Sequence, residues 1–220
     1  VFVQTEKDIN YISKYKKFFN FKASVIYNWI FLDKLTNRKT IRKNHKYIRF
    51  IFVGVVSLAQ DYKLIFNIIQ FCKLQNFKAN FFFVGTGTKK SELIHLTSNF
   101  KNVFFLKEMN LSSLDKMIQK CDICLSTLSK DFKSDNFPGK ILRYMVNNKP
   151  ILVHSPNNGF LQNLIEKNSL GFYSSEEIDL FKNIELIFSD FENFNNKGVN
   201  GFNLVKKYYS SEGAVKIFFK

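Results

Sequence analysis

Ser134-Asp-Asn-Phe-Pro-Gly-Lys-Ile-Leu-Arg-Tyr-Met-Val-Asn-Asn-Lys-Pro-Ile-Leu-Val153 reads as a loop, a helix opened by Pro138, a polar stop at Asn147-Asn148 and a buried strand. Proline suits a first helical turn because its missing N–H would be unpaired there anyway. Gly139 beside it leaves room for a ligand close to the backbone. Lys140 falls in that first turn, where free N–H groups and the positive end of the helix dipole already favour an anion. A lysine opposes the dipole, and such locally unfavourable choices gather at functional sites. The segment reads either as a phosphate site or as a loop–helix–strand unit with a solvated lysine.

Working outward, strands and helices alternate. Residues 47–55 form an apolar run rich in β-branched and aromatic residues, the pattern of a buried strand. Residues 62–74 place Leu64, Ile65, Ile68, Ile69 and Cys72 at helical spacing. Strands are expected over 79–84, 102–106, 122–126, 150–154 and 170–173, with helices over 91–97, 111–120 and 160–166 and two or three more to the end. Strands apolar throughout and separated by helices predict an α/β fold, a doubly wound parallel sheet covered on both faces. Ligands of such sheets bind beyond the carboxyl ends of the strands. That edge would carry Gly54, residues 85–88, 107–110 and 128–140, and residues 154–159.

Residues 1–38 differ from the rest. A strand end over 1–4, a helix over 7–19 and a strand over 23–27 look like the last βαβ piece of a preceding domain with its linker. The main domain is expected over 39–220. The chain starts at Val1 rather than Met, and it is read as a piece of something longer.

The 220 residues carry a net charge of +15, which invites an anionic partner. The charge is uneven: residues 1–50 hold twelve Lys/Arg against three acids, and residues 38–49 hold no acid. That basic stretch reads as a solvated connector or as a patch facing anionic lipid or a polyanion. A crowd of Lys, Asn, Ile and Phe, with 27 Phe, is also what an AT-rich genome produces. Cys121-Asp-Ile-Cys124 has paired spacing, but no second pair completes a zinc site, and both cysteines read as small core residues. No apolar run approaches bilayer length.

Gly54 ends the first strand of the main domain, where it admits a phosphate or merely makes a turn. Lys63 follows on the next helix, either reaching the same anion or lying on the surface. Gly85-Thr-Gly87 falls short of a full dinucleotide fingerprint, and no P-loop motif occurs. His45, His95 and His154 have no partner at metal spacing, so no metal is expected. Asp135 reads as a carboxylate beside sugar hydroxyls or as a solvated loop acid.

Taken together, Phe52-Val-Gly54, Phe83-Val-Gly-Thr-Gly87, Asn102-Val-Phe-Phe-Leu106, Cys121-Asp-Ile-Cys-Leu-Ser126, Asn136-Phe-Pro-Gly-Lys-Ile-Leu-Arg-Tyr-Met145 and Lys149-Pro-Ile-Leu152 resemble the nucleotide-sugar-binding half of a GT-B glycosyltransferase of the retaining family 4. The Asn-Phe-Pro-Gly-Lys form is similar to bacterial transferases of polysaccharide, lipopolysaccharide and O-antigen assembly, including L-fucosamine transferases. Residues 1–35 resemble the end of the N-terminal, acceptor-binding domain of such enzymes.

The resemblance implies a Rossmann-like C-terminal domain that holds a nucleoside diphosphate sugar, expected to be a UDP-sugar. It implies a lipid-linked saccharide acceptor and no cofactor. It places the protein in the cytoplasm, at the inner face of the cell membrane. Lys140 and Asp135 take the catalytic roles by this analogy. The same analogy implies that Gly54, Lys63, Gly85, Glu108, Met109, Asn136, Pro138, Gly139 and Arg143 line the substrate. Two departures stand out. Arg143 occupies the place of a glutamate that contacts the ribose in many members, and the basic residue common just after the first-strand glycine is missing. Two other classes compete: a basic nucleic-acid-binding protein, disfavoured by the apolar placement of most Phe residues, and a nucleotide-sugar epimerase on a related fold.

Overall fold

The computed structural model describes residues 1–4, 6–32, 46–132, 138–156 and 158–219. Six parallel strands form the main sheet: β3 (Ile48–Val53), β4 (Ala79–Val84), β5 (Val103–Leu106), β6 (Ile123–Thr127), β7 (Ile151–His154) and β8 (Gly171–Ser174). Their order is β5-β4-β3-β6-β7-β8, parallel at every pairing. The chain starts at the centre with β3, runs outward to β5, then returns to lay β6 on the other side. The carboxyl ends of β3 and β6 therefore diverge at a topological switch point, where such sheets open a crevice.

Helices cover both faces, as expected for strands without a polar side. One face packs on α2 (Tyr62–Leu74), α3 (Lys90–Leu96), α7 (Glu177–Ser189) and α8 (Phe191–Asn196). The other packs on α4 (Leu111–Lys120), α5 (Gly139–Val146), α6 (Gly159–Lys167) and a π-helical turn at Val205–Tyr209. Alternate residues of each strand feed the two cores. Phe50 stacks on Phe81 and Phe83 on Phe105 across neighbouring strands on one face, each pair with centroids 5.0 Å apart, and Phe82 stacks on Phe104 on the other. Rings at this spacing add to their burial, so the phenylalanine-rich composition is spent largely on the core. Within the sheet, Phe104 on edge strand β5 is exposed, at 39%. Cys72, Cys121 and Cys124 are buried in the core, and burial pushes the Cys72 thiol up to about 12, which keeps it unreactive.

Observed elements fall within one or two residues of the expected ones in the main domain. Pro138 is an exception of kind: it stands just outside α5 as its cap, with φ −64° and ψ 125°, and the helix proper begins at Gly139. The closing region holds α7, α8, α9 (Gly198–Leu204) and α10 (Ser211–Phe218), more pieces than expected.

The first 32 residues form a βαβ unit. Strands β1 (Phe2–Val3) and β2 (Ser24–Val25) pair in parallel around α1 (Glu6–Ser13). Here α1 stops six residues short of the expected end. Ser13 turns its hydroxyl back to the Asn10 carbonyl, a local bond that competes with the helical ladder. The apolar residues beyond it do not bury a face to prolong it, since Phe18 and Phe19 are exposed. The unit is tied to the carboxyl-terminal helices by Phe2 stacked on Phe218 and by a bridge from Ile30 to Ser210.

Candidate functional site

At the switch point the last paired residues of the diverging strands are Phe52 and Leu125. Just past them the strands are joined by a side chain. The Tyr144 hydroxyl accepts from the Val53 N–H at 2.9 Å and donates to the Leu125 carbonyl at 3.3 Å. Tyr144 is fully buried, so both strand-end groups would otherwise lose their partners. This clamp fixes α5 against the crevice. Lys140 lies four residues earlier on the same helix, hence on the same face one turn nearer the carboxyl edge.

The Lys140 side chain is half-buried. The amine sits 4.2 Å from the centroid of the Phe52 ring and donates to the Gln60 side-chain oxygen. Among the described residues no carboxylate pairs with it. Burial alone lowers its pKa from 10.5 to about 7. Gln60 closes a 3₁₀ turn, Leu58–Gln60, in the loop after β3. The Thr127 hydroxyl at the end of β6 donates to the Gln60 carbonyl, and the Ser129 N–H donates to the Ala59 carbonyl at 3.0 Å. Asp61 follows with φ 46° and caps α2 by accepting from the Leu64 N–H at 3.1 Å.

The glycines divide into two kinds. Gly54, φ 118°, has no atom within 4 Å of where a Cβ would stand, and neither has Gly139. Both leave backbone open to an approaching group. Gly85, φ 134°, is different: a Cβ there would lie 2.3 Å from the Gly54 carbonyl oxygen, and one on Gly87 would lie 2.1 Å from that of Val56. These glycines let the loops after β3 and β4 pack backbone to backbone. The Val56 N–H donates to Thr86 and the Lys89 N–H to Val56 across that contact.

Other expected residues scatter around this centre. Lys63 is exposed in the first turn of α2 and lines a hollow of about 420 Å³ with Ala59, Asp61, Ser129 and Phe132. Glu108 is exposed on the turn before α4, while Met109 packs on the second core. Pro138 is half-buried at the head of α5. The Arg143 guanidinium pairs with Asp115 at 3.2 Å, and Asn147 donates to the same carboxylate at 2.8 Å. Asp135 and Asn136 lie outside the described residues.

Gln60, Thr127, Tyr144 and Lys90 escape a reading by motif. Lys90 donates to the Gly85 carbonyl at 2.6 Å, with the Leu106 carbonyl at 3.4 Å, across the ends of β4 and β5. Tyr144 has one usable signal, its i+4 spacing from Lys140 on a helix that must face the sheet. His154, at the end of β7, is buried, and burial holds its pKa below the ordinary value against the charges of Asp61 and Glu177.

The fold is that of an α/β domain with a six-stranded parallel sheet, the Rossmann-like half of the GT-B architecture. The profile of the family described as glycosyl transferases group 1 matches residues 33–199, and the chain belongs to that family. No curated protein matches it. Among solved structures, the pneumococcal O-GlcNAc transferase GtfA in complex with UDP and GlcNAc superposes with a TM-score of 0.74 at 12% identity, over 98% of this chain and 43% of that one. S. aureus TarM, in a complex containing UDP, gives 0.72 at 14% identity over 100% and 43%. Anabaena HepE in complex with UDP-glucose gives 0.68 at 16% over 89% and 55%. At such identities the likeness is one of fold, and the chain spans less than two thirds of each of these proteins.

No described helix is long and apolar enough to cross a membrane.

Proposed function

We propose that this chain supplies the donor half of a retaining glycosyltransferase, which passes a sugar from a UDP-sugar to a lipid-linked saccharide in cell-surface polysaccharide or O-antigen assembly. The observation that carries the reading is the Lys140 amine, held at the switch-point crevice without a carboxylate partner among the described residues. Among the described residues, that cation has an amide partner and no carboxylate. Sugar transfer leaves negative charge on the departing diphosphate, and fixed donors aimed at developing charge lower the barrier most where water is excluded. Lys140 would meet the diphosphate beside the open backbone of Gly139 and Gly54. Lys63 would approach from the α2 side, and the turn with Glu108 and Met109 would flank the base. Asp135, close before Lys140 in sequence, is assigned to the donor sugar's hydroxyls. The basic stretch 38–49 would bring the enzyme to the inner face of the membrane, where a lipid-linked acceptor resides.

The test is a thermal-shift screen of nucleotide sugars on the full-length protein, repeated with Lys140→Ala. A stabilising nucleotide sugar whose effect vanishes in the variant supports the reading. Equal stabilisation of both proteins removes it.

A further inference from the structure

Gln60 has a structural peculiarity that the donor reading does not use. Its main chain is pinned to the opposite side of the crevice by the Thr127 hydroxyl, and its neighbour Ala59 by the Ser129 N–H. The next residue, Asp61, is committed to capping α2. The loop is therefore fixed on both sides of Gln60, and its side chain reaches across to the Lys140 amine. The partner it offers is a neutral amide. An amide oxygen orients an ammonium without cancelling its charge, and the same amide carries two N–H donors.

We propose that Gln60 is a positioning residue for donor binding: it stations the Lys140 amine against Phe52 at the mouth of the crevice, and the pair together presents only N–H donors to an incoming diphosphate. This rests on the reading of Lys140 as a diphosphate contact. The chemistry distinguishes an amide from its isosteric acid. A glutamate at position 60 would keep the hydrogen bond and strengthen it into an ion pair. It would then neutralise the cation and repel the ligand. A purely structural link between the loop and α5 would be improved by that change.

The experiment compares the full-length protein with Gln60→Glu, Gln60→Ala and Lys140→Ala. Calorimetric titration uses inorganic diphosphate and UDP as probes, with thermal unfolding measured in parallel. Gln60→Glu is expected to unfold at an equal or higher temperature than the parent yet to bind both probes at least ~10-fold more weakly, the scale of one charge-assisted hydrogen bond. Gln60→Ala should weaken both probes by less than Gln60→Glu does. Affinities within twofold of the parent in both Gln60 variants, with binding lost in Lys140→Ala, would overturn the role of Gln60 and leave the Lys140 contact standing. A Lys140→Ala protein that binds as the parent does, or a parent that binds neither probe, would overturn the underlying reading and this inference with it.

Discussion

The Lys140 amine stands 4.2 Å above the ring of Phe52, with an amide as its hydrogen-bond partner. Phe52 is the last residue of β3 paired to β6, so the contact sets a cation at the point where the two halves of the sheet separate. The ring face attracts the charge, but it does not replace the water or the carboxylate that a buried ammonium ordinarily has.

One consequence is a trade between stability and binding. The folded pKa of about 7 lies below the ordinary 10.5, so between those values the folded chain binds fewer protons than the unfolded one. Stability from this group therefore rises with pH across that window, and the full cost is felt below it. Lys140→Met should raise the melting temperature at pH 6 to 7 by about 2–6 °C while abolishing response to nucleotide sugars, and the gain should shrink as pH approaches 10. Differential scanning fluorimetry across pH checks it. A melting temperature lowered at every pH would contradict the burial argument.

Affinity should run the other way. A diphosphate diester carries a fixed charge over this range, and it favours the ammonium form of Lys140. Binding of a UDP-sugar is expected to take up a proton and to weaken as pH rises above about 7, by up to about tenfold per unit. Calorimetry in two buffers of different ionisation enthalpy at pH 8 reads the proton directly. No uptake would mean that the amine stays as it is when the ligand arrives.

The Tyr144 hydroxyl serves the crevice from beneath. Tyr144→Phe keeps the ring in the core but leaves the Val53 N–H and the Leu125 carbonyl without that partner. A loss of about 1–3 kcal/mol in denaturant unfolding is expected, together with weaker nucleotide binding because Lys140 rides on the same helix. A variant as stable as the parent would show that the two strands close up without the clamp.

How much of this was legible beforehand divides along physical lines. The alternation of apolar strands with helices, and Lys140 at the head of its helix, follow from local pattern: a residue's own neighbours decide them. Gln60 acts through Lys140, eighty positions away, and Tyr144 through Val53 and Leu125, and no local signal reports such pairings. The glycines show the same limit. Gly54 and Gly85 look alike in sequence, each closing a strand, yet one faces open space and the other faces the first one's carbonyl. The early end of α1 has a related cause, because apolar residues prolong a helix only where there is a core to receive them.

Substitution separates the two glycines. At Gly85 an added methyl meets backbone at 2.3 Å in a region of φ that side chains disfavour, so both the loop and its neighbour must move. Gly85→Ala should cost about 3 kcal/mol or more. Gly54→Ala meets no atom within 4 Å and should cost about 1–2 kcal/mol from φ alone, while lowering affinity for nucleotide sugars through the lost approach. Urea unfolding paired with ligand titration tells them apart, and equal stability costs would contradict the packing argument.

Arg143 is the sharpest case, because sequence position assigns it to the substrate and its contacts assign it to Asp115. The pair is largely enclosed, at 17% and 11% side-chain exposure, and Asn147 completes it. Removing the cation alone leaves a carboxylate with one amide donor in a poorly hydrated place. Arg143→Ala should therefore destabilise the protein by about 2–3 kcal/mol, and Arg143→Ala with Asp115→Ala should recover part of that loss, a coupling of about 1 kcal/mol or more in a double-mutant cycle. If the ion pair serves to hold α4 to α5, nucleotide affinity should stay within a few-fold of the parent in the double variant. A variant that keeps its stability and loses nucleotide binding would return Arg143 to the substrate and require its guanidinium to leave Asp115 when the donor enters.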